Sequence, residues 1–155
     1  MRVIVQRVVR AEVREGGSVR GSIGRGFVGL VGVETPDGAA EAARMAEKLA
    51  HLRFFEDSAG KMNQSVLEAG GDVLLVPNFT VAGSTRKGRR PSFDGAKAPE
   101  EARCLFDAVC EEMVKLGVRV ERGVFGAEMQ VELVNDGPVT LLVEVGSDQI
   151  STFAR

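Results

Sequence analysis

The 155-residue chain predicts an α+β fold. It reads as one domain, residues 1–155, with a mixed or curled, barrel-like β-sheet of about seven or eight strands and two covering helices. Three observations carry that expectation. Length and composition suit one hydrophobic core, with 44% apolar and 27% charged residues. Short β-branched runs gather at both ends of the chain. Only two stretches place apolar residues at three- and four-residue steps.

Taken in order, RVIVQRVVRAEVR (2–14) is β-branched with partial alternation and reads as a strand. EGG (15–17) signals a turn, and SVRGSIG (18–24) returns as a second strand. FVGLVGV (27–33) suits a buried strand, after which Pro36, Asp37 and Gly38 break the chain. From Ala39 to Leu52 the period is helical, with Ala42, Met45, Leu49 and Leu52 on the inner stripe and Glu41, Arg44, Glu47 and Lys48 elsewhere. RFFED (53–57) is a further strand, residues 58–71 are mostly loop, and DVLLV (72–76) is a strand stopped by Pro77. Residues 82–99 form a long Gly-, Pro- and Arg-rich loop. Pro99 opens the second helix, whose stripe is Ala102, Leu105, Phe106, Val109, Met113 and Leu116, and Gly117 closes it. VRVERGVF (118–125), AEMQVELV (127–134) and VTLLVEV (139–145) are the last strands.

The inventory excludes much chemistry. Apolar runs are too short to span a bilayer. MRVIVQRVV carries Arg2 and Arg7 and no cleavage-like site follows it. It reads as a first strand rather than a signal peptide, so the cytoplasm is expected. Cys104 and Cys110 fall on one helix, roughly 9 Å apart along its axis and too far for a disulfide. Both read as buried structural thiols. No Cys/His cluster suggests a metal, and no cofactor motif is present. The one histidine, His51, has a surface or packing role. A net charge of −2 argues against a general nucleic-acid binder, so neither DNA nor membrane is an expected partner and any basic surface is local. Catalysis by this chain must lean on backbone groups, hydroxyls and the substrate's own atoms.

Three stretches stand out. PNFTVAG (77–83) follows a strand directly. It is either a strand continuing past a bulge at Pro77, with Phe79 in the core, or a strand end that aims the amides of Phe79 and Thr80 at a developing oxyanion. STRKGRRPSF (84–93) places Arg86, Lys87, Arg89 and Arg90 within five residues. Surface loops usually disperse or mix charge, so phosphate-backbone binding is favoured here. NDGPVT (135–140) interrupts an otherwise good strand pattern. It is either a hairpin turn or a rigid Gly137-Pro138 backbone that works as a wall, since X-Pro bonds are those that visit cis.

Together these stretches resemble the D-aminoacyl-tRNA deacylase family, also called D-tyrosyl-tRNA deacylase, over essentially the whole chain. Asn135, Gly137, Pro138 and Thr140 match the family's Asn-x-Gly-Pro-x-Thr motif in full. Phe79 and Thr80 match half of its Ser-Gln-Phe-Thr motif, with Pro77 and Asn78 in place of Ser and Gln. The resemblance implies hydrolysis of the ester joining a D-amino acid, or glycine mischarged on tRNA-Ala, to the 3′-terminal adenosine of tRNA. It implies a homodimer with interfacial active sites, in which a cis Gly137-Pro138 enters the partner's site and excludes L-aminoacyl groups. It further implies that Arg7 braces this gate, that Met129 packs near it, that Phe79 gives a backbone N–H to substrate, and that no cofactor is needed. Thr80 is one candidate nucleophile, and the terminal ribose 2′-hydroxyl assisting water is the alternative. A lone threonine without a base favours the second. Losing the Ser hydroxyl and shortening Gln to Asn78 bear on substrate range. Two competing readings are a non-catalytic tRNA- or RNA-binding module using residues 86–90, and a different small-ester hydrolase.

Overall fold

The computed structural model describes residues 1–146; the remainder of the expected 1–155 domain lies outside the described residues. Strand β1 (Arg2–Glu15) pairs antiparallel with β2 (Ser18–Ile23) along its second half and with β3 (Gly26–Gly32) along its first. Helix α1 (Ala39–His51), a short ribbon of β4 (Phe55–Glu56) with β5 (Met62–Gln64), and the one-turn helix α2 (Val66–Ala69) follow. The chain then re-enters the sheet as β6 (Asp72–Pro77), parallel to β3. A 3-10 turn (Phe79–Ala82), a long loop and helix α3 (Pro99–Lys115) lead to β7 (Val120–Arg122), parallel to β6. The last strand, β8 (Gln130–Glu144), lies antiparallel to β1. The result is the expected mixed, nearly closed barrel. Its strand order is β2-β1-β3-β6-β7, with β8 on the other side of β1.

Closure depends on small residues. A Cβ on Gly21 of β2 would lie 3.2 Å from the Arg122 carbonyl of β7 and 3.3 Å from Glu121 Cβ, so only glycine lets the two edges meet at their present distance. The two faces of the barrel wall bury different cores, as the strand period of two requires. Val3, Val5, Phe27, Val31, Val73 and Leu75 face α1 and α3. Val8, Ala11, Val13, Val28, Leu74 and Val76 fill the interior. Burial on both faces is why β3 and β6 read as continuous apolar runs.

The main departures from expectation have local causes. α2 begins at Ser65, whose Oγ accepts from Glu68 N at 3.2 Å while Ser65 N donates to Glu68 Oε2 at 2.7 Å. That capping box makes a helix where a loop was expected. β6 runs through Pro77 rather than stopping before it; β7 ends at Arg122, opposite Leu75, so proline's missing N–H falls beyond the last β6–β7 pair. The strands expected over 53–57 and 118–125 shrink to β4 and β7. Glu41 is buried, its carboxylate turned back onto Gly38 N and Arg44. Cys110 is buried and its thiol pushed up to about 12 by desolvation, but Cys104 is exposed, contrary to expectation. The amino group of Met1 is buried with Asp37 Oδ1 at 2.6 Å, Glu34 Oε2 at 3.1 Å and the Val145 carbonyl at 2.7 Å. It ties the end of β8 to the start of β1. No helix among the described residues is long and apolar enough to cross a membrane.

Candidate active site

The end of β6 carries the first cluster. Asn78 N donates to the Val31 carbonyl at 2.8 Å, which extends the β3–β6 ladder by one bond. The chain then coils into the 3-10 turn, not into a continued strand. Asn78 directs this: its Oδ1 accepts from Thr80 N at 3.3 Å and from the Thr80 hydroxyl. An Asx cap of this kind diverts backbone from the sheet. Val81 N then bonds the Asn78 carbonyl at 3.1 Å, and Gly83 N bonds the Thr80 carbonyl at 3.0 Å. Phe79 N–H is left without an acceptor among the described residues. The Thr80 hydroxyl gives its proton to a carboxamide, which is no base, and His51 sits exposed on α1 against the Glu47 carbonyl. Thr80 is therefore not activated as a nucleophile in this geometry.

A groove of about 870 Å³ opens beside the turn, lined by Pro77, Asn78, Phe79, Phe93, Phe125 and Met129 among others. Its wall is mainly apolar and its size suits a nucleoside with a small appendage. Met129 lies here, its Sδ 3.2 Å from Val124 N, rather than beside Gly137 and Pro138 of its own chain.

The cationic loop adjoins the groove. Ser84 N and Ser92 N exchange bonds with each other's carbonyls at 2.7 and 2.8 Å. This clasp closes residues 85–91 into a ring, and Arg86, Lys87, Arg89 and Arg90 all stand exposed on it. Phe93, directly after the clasp, sets its ring at 5.2 Å and 68° to that of Phe79.

The second cluster sits on β8. Residues 130–135 and 140–144 pair with the same strand in the same direction, so NDGPVT is not a hairpin turn. It is one strand carrying a bulge: Thr140 pairs with Gln6, Asn135 with Val8, and the intervening residues loop out opposite Arg7. The Gly137-Pro138 peptide is cis. Both residues are exposed, and the bulge is clamped from each side. Val139 N donates to Asn135 Oδ1 at 2.7 Å, and Asn135 Nδ2 donates to the Val139 carbonyl at 3.0 Å. Gln6 Nε2 and Asn135 Nδ2 both reach Thr140 Oγ1, at 3.2 and 3.3 Å. Arg7 is only 6% exposed. Its Nε donates to the Asp136 carbonyl and its Nη1 to the Phe54 carbonyl, both at 2.9 Å. Glu56 Oε1 lies 3.5 Å from Nη2.

The fold thus gathers Asn78, Phe79 and Met129 at one groove, with Thr80 on the adjoining turn and residues 86–90 beside it. Separately it gathers Arg7, Asn135, Gly137, Pro138 and Thr140, none of which lines that groove. Phe93, Gln6 and Glu56 were not singled out from sequence. Their parts depend on a loop clasp and a strand bulge that leave no periodic trace.

Comparison with known proteins fits this geometry. A family model described as D-Tyr-tRNA(Tyr) deacylase matches residues 4–144. The chain is 58% identical over 144 residues to the D-aminoacyl-tRNA deacylase of Anaeromyxobacter dehalogenans (strain 2CP-C), covering 93% of this chain and 97% of that one. It is 56% identical to the corresponding enzyme of Heliobacterium modesticaldum (strain ATCC 51547 / Ice1), with 93% and 96% covered. Among solved structures, a c-Myc DNA unwinding element binding protein superposes with TM-score 0.89 at 38% identity, over 95% of this chain and 100% of that one. A probable eukaryotic D-amino acid tRNA deacylase superposes with TM-score 0.82 at 20% identity, over 93% and 98%, a likeness of fold.

Proposed function

The chain belongs to the D-Tyr-tRNA(Tyr) deacylase family, and from that premise we propose how its two clusters divide the hydrolysis of D-aminoacyl-tRNA between them. The activity itself is that of the family, an ester hydrolase acting on D-aminoacyl-tRNA. The terminal adenosine lies in the apolar groove, and the free N–H of Phe79 meets the scissile ester. The observation that carries this reading is the Asn78 cap, which occupies the Thr80 amide and hydroxyl and leaves the Phe79 donor open. With Thr80 so engaged, the terminal 2′-hydroxyl assists the attacking water, and backbone donors stabilise the charge that develops. Arg86, Lys87, Arg89 and Arg90 hold the phosphates upstream of the terminal nucleotide.

Selection against L-aminoacyl groups falls to Gly137 and Pro138. Their distance from their own chain's groove is met by a homodimer in which each chain lends this dipeptide to the other's site. β8 supports such pairing. It is an edge strand with Val134, Leu141 and Leu142 exposed, and soluble proteins seldom leave an apolar edge open. A two-fold axis then brings both sites to the interface. Arg7, Asn135 and Thr140 fix the bulge, and Met129 contacts the incoming gate. A small-pocket mechanism distinguishes one methylene by only ~1–3 kcal/mol, whereas a fixed backbone wall rejects one hand whatever the side chain. Glycyl esters lack the rejected group and pass, including glycine on tRNA-Ala. The site is cytoplasmic, where charged tRNA is met, and the described residues act as a single deacylase domain.

The test is release of label from matched D- and L-aminoacyl-tRNA. Rapid release of the D form alone supports the reading. Binding without release favours the second one, a non-catalytic nucleic-acid module built on residues 86–90. The 38%-identical structural neighbour, a c-Myc DNA unwinding element binding protein, gives that second reading its footing. Thr80→Ala separates the mechanisms: a residual rate within about tenfold of wild type, as loss of one hydrogen bond implies, supports substrate assistance. Complete loss with intact folding and binding assigns Thr80 the chemistry.

A further inference from the structure

We propose that Phe93 is a positioning residue that couples occupancy of the cationic loop to the Phe79 amide; this rests on the functional reading above. The ring of residues 85–91 has one neck, the Ser84–Ser92 clasp. Both chains leaving that neck run straight into the site. On one side Ser84 follows Gly83, whose N–H closes the 3-10 turn on the Thr80 carbonyl at 3.0 Å. On the other side Phe93 follows Ser92 and lays its ring edge-on to Phe79.

The two sides also press on each other. A Cβ on Gly83 would lie 2.7 Å from Phe93 Cε1 and 3.0 Å from Cδ1, so the ring rests directly on the Gly83 backbone. Phe93 is held from below as well. Its carbonyl accepts from Ala96 N at 2.9 Å, and Ser92 Oγ and Asp94 tie the next turn together. The Phe79 ring is 61% exposed, so this edge-on contact is its main restraint on the loop side. Aromatic pairs in such geometry contribute energy beyond their area and fix relative orientation. A phosphate chain that pulls the four cations into register therefore draws the neck, Phe93 and the Phe79 turn into one arrangement. A displacement of about 1 Å at a reacting centre costs up to ~100-fold in rate, so this linkage has leverage on turnover.

The experiment compares two substrates on three proteins. One substrate is full-length D-aminoacyl-tRNA; the other is the D-aminoacyl ester of adenosine, which has no phosphates. In wild type, the saturated single-turnover rate is expected to be about tenfold higher on tRNA. Phe93→Ala removes that ratio while affinity for tRNA trimmed of its terminal adenosine stays within about twofold, because the cations that hold the phosphates are untouched. Phe93→Tyr keeps the ratio. Phe93→Leu, which retains bulk without the ring edge, replaces the alanine variant if the latter fails to fold, as read from its thermal melt. A ratio unchanged in Phe93→Ala and Phe93→Leu overturns the proposal, as does an equal slowing of both substrates. Equal wild-type rates on the two substrates also overturn it, while leaving the deacylase reading intact. Release of neither by wild type defeats the deacylase reading itself.

Discussion

At the scale of single residues, the Phe79 N–H and the Gly137 backbone carry the sharpest expectations. Asn78 is extended, with φ −146° and ψ 91°, clear of the α region that a following proline disfavours. Phe79→Pro is therefore accommodated at the start of the turn while deleting the donor. Phe79→Ala deletes the ring and keeps the donor. Loss of an oxyanion donor costs about 100- to 1,000-fold in kcat, so Phe79→Pro should fall well below Phe79→Ala when both are assayed on D-aminoacyl-tRNA. Comparable rates would remove the amide from the chemistry. Gly137 has φ +150°, and an added Cβ would lie 2.7 Å from Val139 Cγ2 and 2.8 Å from Val139 N. Gly137→Ala therefore introduces about 1–3 kcal/mol of local strain and shifts the bulge that Asn135 clamps. The D-over-L preference should drop about tenfold, the equivalent of ~1.4 kcal/mol, and the melting temperature should fall by roughly 2–12 °C. The identities of these residues were legible in sequence because they form motifs. Their grouping was not: Phe93 and Phe79 are fourteen positions apart, and only the Ser84–Ser92 clasp brings them together.

Among the elements, the strands with two buried faces and the two long helices were legible because apolar period and burial agree. The short pieces were not. A one-turn helix at Val66–Ala69 is specified by capping chemistry rather than by a stripe, and the signal was there in Ser65 and Glu68. β8 misled for the opposite reason. Gly137 and Pro138 usually end a strand, yet here both flanks re-pair with β1 because the bulge absorbs the irregular residues. The helix caps also set a pH response. The Glu68 carboxyl is held below its ordinary range by the Ser65 backbone N–H and then the Ser65 hydroxyl, and Glu41 likewise by the Gly38 N–H. A depressed carboxyl stabilises the fold above its ordinary pKa and loses that contribution as pH falls through its lowered folded value. Melting temperature should therefore decline in the acid range below the usual carboxylate pKa. Glu68→Gln should melt lower at neutral pH and show a flatter decline, and parallel curves would exclude this origin.

At the scale of the whole molecule, the proposed homodimer makes the sharpest expectation. A barrel wall buried on both faces ends in a fifteen-residue strand whose outer edge meets no partner among the described residues. Light scattering should give twice the 16.5 kDa chain mass. Val134→Asp with Leu142→Asp, at positions 40% and 57% exposed, should return it to that mass and abolish the D-over-L preference together. A monomeric double variant that stays selective would place the wall and the groove in one chain. The clasp at Ser84 and Ser92 bears on durability as well. Trypsin has three cut sites on that ring, after Arg86, Lys87 and Arg89, because Pro91 protects the bond after Arg90, and a nick at any of them leaves both severed ends tied at the neck. Cleaved protein should keep its mass in gel filtration and its melting temperature, showing two fragments only under denaturing conditions. Bound tRNA should shield it, so the segment most open to proteolysis doubles as a footprint of its own ligand.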